Sequence, residues 1–330
     1  MTTEISVAEM RAAHKRTAPF LHNTPIMSSE NINEKVGVPV LFKCEHLQKT
    51  GSFKVRGALN SAILAKEQEA KGVIAHSSGN HGQALAWAAQ KIGLPCTIVV
   101  PDNAPISKID GMKEYNANLV FCESTVTSRE SVCAEQAEKL EYYFVNPYDC
   151  VSMINGHASI AFEILEQAGD DIDSIFLSVG GGGFASSVAF LIGNLRPDIE
   201  GKQLLFYSNP LHSLTVFLVE PEDKQLSNLL ANNVPCPVDT LNTMADGVRV
   251  AHVGTLCEPI LRKFCTGKVI SVKEEEIKYA LKLVWTRLKQ RIEPSAALAF
   301  AGVLYHKPEH VKRPLVILCG GNVDTSYVID

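Results

Sequence analysis

The sequence contains no Cys-x-x-Cys pair. Its nine cysteines (Cys44, Cys96, Cys122, Cys133, Cys150, Cys236, Cys257, Cys265 and Cys319) are odd in number and scattered among apolar neighbours. That spacing argues against a zinc centre or a disulfide framework and fits reduced thiols in a core. Positive charge is not in excess: 31 Lys and Arg face 36 Asp and Glu, a formal net charge of −5, which gives no support to nucleic-acid binding. No apolar run approaches the ~18 residues of a membrane span. The first sixteen positions alternate polar, acidic and basic residues without an apolar centre, so no signal peptide is expected and the expected location is the cytoplasm. Neither G-x-G-x-x-G nor G-x-x-x-x-G-K-[ST] occurs, which weighs against the dinucleotide and P-loop readings. There is no short-period repeat and no low-complexity tract.

What is present is an ordinary globular composition, 46% apolar and 20% charged over 330 residues, enough for two domains or one large α/β body with a lobe. Short β-branched runs alternate with helical patterns. Strands are expected at Val38–Phe42, Gly72–His76, Cys96–Val100, Asn118–Phe121 and Tyr142–Val145, and later at Ser174–Val179, Val216–Val219, Val269–Val272 and Leu315–Leu318. Helices are expected at Ala58–Ala70, Gln83–Ile92, Ser107–Tyr115, Val126–Leu140, Ile160–Gln167, Phe184–Asn194 and Glu274–Arg291, with Ala231–Thr243 as a surface connection. This rhythm predicts an α/β protein with twisted, mostly parallel sheets wrapped by helices.

Four segments carry chemistry. In Gln48–Ala58, Lys54 stands between Phe53 and Val55 just after an apolar run. A partly buried amine has a lowered pKa, and a neutral amine is the nucleophile that condenses with an aldehyde such as pyridoxal phosphate (PLP). Alone, the stretch also fits a strand-to-helix turn with a solvated lysine. Gly180, Gly181, Gly182 and Gly183 join a strand to a helix, so their N–H groups and the helix N-terminus can face one anion such as a phosphate. Ser77, Ser78, Gly79, Asn80 and His81 form a second such junction. It suits a carboxylate, with a hydroxyl from Ser78 and an amide from Asn80, and equally suits a serine-capped helix. Ile317–Asn322 is a third strand end that opens into glycines, at the edge where open α/β sheets gather ligands.

With these segments in view, the chain resembles the fold-type II PLP enzymes, which share a tryptophan synthase β-like architecture. It is most similar to the branch of serine racemases and serine/threonine dehydratases, and within it to eukaryotic serine racemases. The resemblance rests on Lys49–Lys54, His76–Gln83, Val179–Gly183, Ala245–Val248, Ile292–Ala296 and Gly320–Asp324, in the same order over nearly the whole chain. It implies a large PLP-binding domain of residues 1–71 and 150–330 and a small flexible domain of residues 72–149. It implies that Lys54 anchors PLP and is the base on one face of the substrate Cα, with Ser78 the acid or base on the other. Phe53 would pack on the ring, Asn80 would bond the 3′ oxygen, the four glycines would hold the phosphate, and Cys319 would face the pyridine nitrogen. Ser77 to His81 would grip the substrate carboxylate. The implied activity is interconversion of L- and D-serine with β-elimination to pyruvate and ammonia; the alternative is a dehydratase of L-serine, L-threonine or 3-hydroxyaspartate with little racemisation. A homodimer is implied, as are two effectors: ATP, at Ser28, Ser29, Lys49, Thr50, Gln83, Tyr115, Lys289 and Asn322, and a divalent cation (Mg2+, Mn2+ or Ca2+) at Glu220.

Three departures stand against the family pattern. Lys202–Leu214 looks like extra sequence, with Val216–Pro221 the expected strand and its Glu-Pro end. The usual second aspartate after Glu220 is missing, with Gln225 and Leu226 in its place and Glu222 or Asp223 as substitutes. The usual Gly-Gln-Gly-Thr is Gly156-His157-Ala158-Ser159, and Tyr148 replaces a frequent asparagine.

Overall fold

The computed structural model describes residues 4–104, 106–195, 214–324 and 326–329. Ten strands occur among the described residues: β1 (Ile26–Met27), β2 (Leu41–Lys43), β3 (Val73–His76), β4 (Cys96–Pro101), β5 (Asn118–Cys122), β6 (Tyr143–Phe144), β7 (Ser174–Ser178), β8 (Thr215–Pro221), β9 (Val269–Val272) and β10 (Pro314–Ile317). Packing divides the chain into two compact units. Unit 1 takes the chain up to His22 together with Gln48–Ser159; unit 2 takes Asn23–Leu47 and the chain from Ile160 on.

Unit 1 is built on a parallel sheet in the order β5-β4-β3-β6. β4 is buried at every position, which is why Cys96-Thr97-Ile98-Val99-Val100 reads as a continuous apolar run rather than an alternating one. Pro101 closes the strand, where a missing N–H costs least. The helix Val126–Leu140 starts where the Thr125 hydroxyl accepts the Ser128 N–H at 3.1 Å and ends at Glu141 in the left-handed region. The strands of this sheet lie inside the expected 72–149 segment. The unit around them also includes the helices Lys54–Glu67 and Val151–His157, because both pack on the same core, the first against the helix Asn80–Ile92 and the second against the first.

Unit 2 carries the order β1-β2-β10-β7-β8-β9, parallel except for the β1–β2 pair. Phe176 stacks on Phe217 at 4.8 Å across β7 and β8, and Phe42 meets Phe300 edge-on at 5.2 Å. Phe300 belongs to the helix Pro294–His306, which lies on β7, β8, β9 and β10. Lys43 is fully buried, and its amine donates to Glu163 Oε2 at 2.7 Å, Thr24 O at 2.7 Å and Gln167 Oε1 at 2.8 Å. Most of the extra segment, 202–213, lies outside the described residues; only Leu214 is inside.

Two expectations are corrected. Glu274–Arg291 is not one helix: the α-helix ends at Leu283, a π-helical turn covers Val284–Leu288, and Lys289 takes a left-handed conformation at φ 61°. Ala231–Thr243 is not merely a surface connection, since Cys236 and Leu241 are buried with Ala251 in a small cluster of their own.

The sheets share one topological device. In unit 1 the chain runs outward from β3 through β4 and β5, then returns to the other side of β3 as β6. In unit 2 it runs outward from β7 through β8 and β9, then returns to the other side of β7 as β10. Each reversal makes a crevice at the carboxyl end of the strand where the order turns, and ligands of open α/β sheets gather there. The segment after β3 begins at Ser77, and that after β7 leads into Gly180.

Candidate active site

In unit 1, Lys54 is the first residue of the helix Lys54–Glu67. Its amine donates to Pro147 O at 2.7 Å and lies 5.3 Å from the centre of the Phe53 ring. Phe53 in turn packs on His157, ring centres 5.0 Å apart. The amine is therefore half-buried, as the flanking apolar residues predict. Its charge reaches two buried imidazoles. Burial, then Lys54, push His81 down to about 3, and the same two causes, in the same order, hold His157 well below its usual value.

The chain after β3 turns tightly because the Ser77 hydroxyl accepts the N–H groups of Gly79 at 3.2 Å and Gly82 at 3.1 Å. This cap starts the helix at Asn80. Ser78 is half-buried, and its hydroxyl makes no hydrogen bond to any described residue. His81 is buried and donates from Nε2 to Val145 O at 3.0 Å. Its ring is a neutral strut, so only its main chain can take part in gripping a carboxylate. Beside the turn, the Lys108 amine stands 3.7 Å from where a Gly79 Cβ would be.

In unit 2, the glycine run leaves β7 at Val179, whose N–H still bonds Val219 O at 3.0 Å. Gly182 takes φ +95°, a conformation that favours glycine, and starts the helix Gly183–Asn194. The N–H groups of Gly180, Gly181, Gly182 and Gly183 bond no acceptor among the described residues. Farther along the helix the Ser187 hydroxyl is buried without a hydrogen-bond partner among the described residues. Unused buried donors are costly, and a cluster of them at a helix N-terminus fits a phosphate. The run is backed by the turn Asp246–Val248: a Cβ on Gly180 would come within 3.1 Å of Gly247 O. Ser295 pins that turn, accepting the Gly247 N–H at 2.8 Å and donating to Asp246 Oδ1 at 3.3 Å. Ser295 and Asp246 lie inside motifs legible in the sequence, but their pairing is not. Cys319 follows β10 and is buried, and Gly320 lies against Glu293, which a Cβ would strike at 2.6 Å.

The nucleotide candidates are divided: Lys49, Thr50, Gln83 and Tyr115 fall in unit 1; Ser28, Ser29, Lys289 and Asn322 fall in unit 2. Gln83 is buried, its amide 3.0 Å from where a Gly111 Cβ would be; Ser28 and Lys289 are exposed. Glu220 ends β8 as expected, but its surroundings do not fit a divalent cation. Its Oε2 accepts the Leu226 N–H at 2.8 Å and its Oε1 the Ser271 hydroxyl at 2.9 Å. Burial raises its carboxyl above the usual range. Among the described residues no group of three or more His, Cys, Asp or Glu side chains gathers to hold a metal. Nothing in the residue pattern marks the buried amine of Lys224, whose charge acts on Glu220.

Known proteins resemble this chain over nearly its full length. A family profile described as pyridoxal-phosphate dependent enzyme matches residues 17–320. A serine racemase of Dictyostelium discoideum is 38% identical over 328 residues, covering 98% of this chain and 97% of its own. Among solved structures, a pyridoxal 5'-phosphate-dependent aspartate racemase superposes with a TM-score of 0.89 at 36% identity, covering 98% of both chains. Maize serine racemase does so with a TM-score of 0.88 at 34% identity, covering 97% of this chain and 94% of its own. With the profile and the relatives spanning nearly its full length, this chain belongs to the pyridoxal-phosphate-dependent enzymes, in the fold-type II group.

Proposed function

We propose that the chain interconverts L- and D-serine and also converts serine to pyruvate and ammonia. The observation that carries the reading is the set of four glycine N–H groups with no acceptor of their own among the described residues, a cradle suited to the coenzyme phosphate. The serine racemase of Dictyostelium discoideum, similar over nearly the full chain, supports the substrate. Bound PLP supplies an electron-withdrawing system that loosens the hydrogen on the substrate Cα.

The chain's own residues do the rest. Lys54 holds the coenzyme and its Nζ takes the Cα proton on one face; Ser78 Oγ returns a proton on the other. Phe53 would pack on the coenzyme ring, Asn80 would bond its 3′ oxygen, and Cys319 would face the pyridine nitrogen without the charge an aspartate would bring. Ser77, Ser78, Gly79, Asn80 and the main chain of His81 hold the substrate carboxylate. ATP at the eight candidate positions, a homodimer and a cytoplasmic location complete the proposal. Among the described residues no helix is long and apolar enough to cross a membrane.

A second reading, an acidic substrate such as 3-hydroxyaspartate or aspartate, is favoured by Lys108, whose amine beside Gly79 suits an extra carboxylate. Chiral analysis of products from each amino acid, with and without ATP, separates the two. L-Serine is expected to yield D-serine and pyruvate. Ser78→Ala is expected to lose D-serine formation by roughly 10²- to 10⁴-fold, the usual share of a positioned acid or base. Undiminished D-serine formation in that variant would remove Ser78 from its role, and turnover of the acidic substrates alone would transfer the proposal to the second reading.

A further inference from the structure

Lys224 lies four positions beyond Glu220 in sequence, in a stretch (Glu222-Asp223-Lys224) that by composition should be a solvated turn. It is only 1% exposed. Its amine donates to Val250 O at 2.6 Å and to Ala251 O at 3.1 Å. Its charge is felt by Glu220, with no direct ion pair between them. Main-chain carbonyls with a buried carboxylate nearby are the oxygen donors that a hard cation takes. Here a lysine's ammonium bonds the carbonyls. Burial lowers Lys224 to about 8, with Glu220 and then Cys236 pulling the other way.

The carbonyls it holds have a further connection. Val250 bridges to Thr240, and Leu241 N–H bonds Arg249 O at 2.9 Å, so residues 239–251 close into a narrow antiparallel loop. The turn Asp246–Val248 belongs to that loop, and a Cβ on Gly180 would lie 3.3 Å from Val248 Cα. Fixing Val250 and Ala251 therefore fixes the wall behind the glycine run.

We propose that the Lys224 ammonium is a resident cation, doing beside Glu220 the work of a bound divalent ion and keeping the Asp246–Val248 turn seated behind the glycine run without added metal. The inference deepens the reading of that run as the coenzyme-phosphate cradle, and its coenzyme arm rests on it. Its metal arm does not.

The metal arm uses the PLP-loaded protein after chelation and dialysis. Electron paramagnetic resonance is expected to find no stoichiometric Mn2+ bound, and the unfolding midpoint is expected to be the same in EDTA as in magnesium chloride. One Mn2+ per chain, lost in Glu220→Gln, would overturn the proposal, and this measurement stands even if a Lys224 variant does not fold. In the coenzyme arm, Lys224→Met is expected to release PLP about tenfold more readily on ultrafiltration, a difference of about 1.4 kcal/mol. Retention as tight as in the parent, with Gly182→Ala weakened, would sink the lysine proposal alone. Unchanged retention in both variants would sink the reading of the glycine run as well.

Discussion

Each unit ends a strand at a reversal of sheet order and turns it into a helix, yet the two turns treat their N–H groups in opposite ways. After β3 a side chain does the capping: the Ser77 hydroxyl takes the N–H groups of Gly79 and Gly82. After β7 there is no side chain to do so, and the glycine N–H groups are left over among the described residues. The first turn has two of its N–H groups taken by Ser77 and displays hydroxyl and amide groups, with the Lys54 amine in the same unit. The second displays only backbone donors. On the proposed reading, unit 1 supplies groups that can move protons and unit 2 an anion cradle that must stay rigid.

Lysines sharpen the contrast most. Lys54→Ala is expected to abolish the visible absorbance of protein-bound coenzyme and to lower turnover by about 10⁴-fold, while the protein still folds. Lys43→Ala is expected to do the reverse. It leaves Glu163 buried without its cation and costs about 3–5 kcal/mol of stability. Absorbance spectra and urea unfolding of both variants decide. Coenzyme absorbance retained in Lys54→Ala would end that lysine's assignment.

The second test separates the units by pH. In unit 1, His76, His81 and His157 are all held below the usual imidazole value, burial being the leading cause. In unit 2 only His46 among the described residues shows this shift, and the Glu220 carboxyl is raised. Imidazoles with lowered folded values add stability that is complete above about 6.5 and is lost as pH falls toward those values, at about 1.4 kcal/mol per pH unit for each proton the unfolded chain takes up. A raised carboxyl works the other way, favouring the folded form as pH falls. Unit 1 should therefore unfold first in acid. Trp87 belongs to unit 1 and Trp285 to unit 2, so fluorescence of Trp285→Phe and Trp87→Phe variants reports each unit alone. Coincident transitions, or unit 2 leading, would contradict the assignment.

Much of this architecture was legible because strands and helices have different apolar periods. The helix Val126–Leu140 and the strand Val269–Val272 fall where the sequence puts them. The helix Pro294–His306 leaves no periodic signal in the sequence because it is apolar all round, so no face stands out. The π-helical turn at Val284–Leu288 is hidden from the sequence because an amphipathic pattern persists across it. At the site, the amine, the hydroxyl and the glycines were legible as types in order. The wall that Ser295, Asp246 and Lys224 build behind Gly180 was not, since it joins residues far apart in sequence by contacts that no spacing encodes.

The smallest expected effect is also the most direct test of how the two turns differ. Gly79→Ala places its methyl in ordinary van der Waals contact with the Lys108 side chain, 3.7 Å from its amine, so thermal stability should change by less than about 0.5 kcal/mol. Gly182→Ala forces a side chain onto a backbone at φ +95° and sets its methyl 2.9 Å from Cys257 Cβ, closer than real Cβ atoms approach. Backbone strain and overpacking each cost about 1–3 kcal/mol, and here they act at one residue. Cys257 opens the helix Cys257–Cys265, while Gly254 N–H donates to Gly181 O at 2.9 Å, so the glycine run and that helix cannot separate without losing this bond. Relief must therefore come from the run itself, which tilts the N–H groups away from a common point. Gly182→Ala should weaken coenzyme retention together with stability, and Gly79→Ala should leave both near the parent. Equal stability losses in the two variants would mean that the turns are alike in rigidity, and the division between a chemical unit and a rigid cradle would fall.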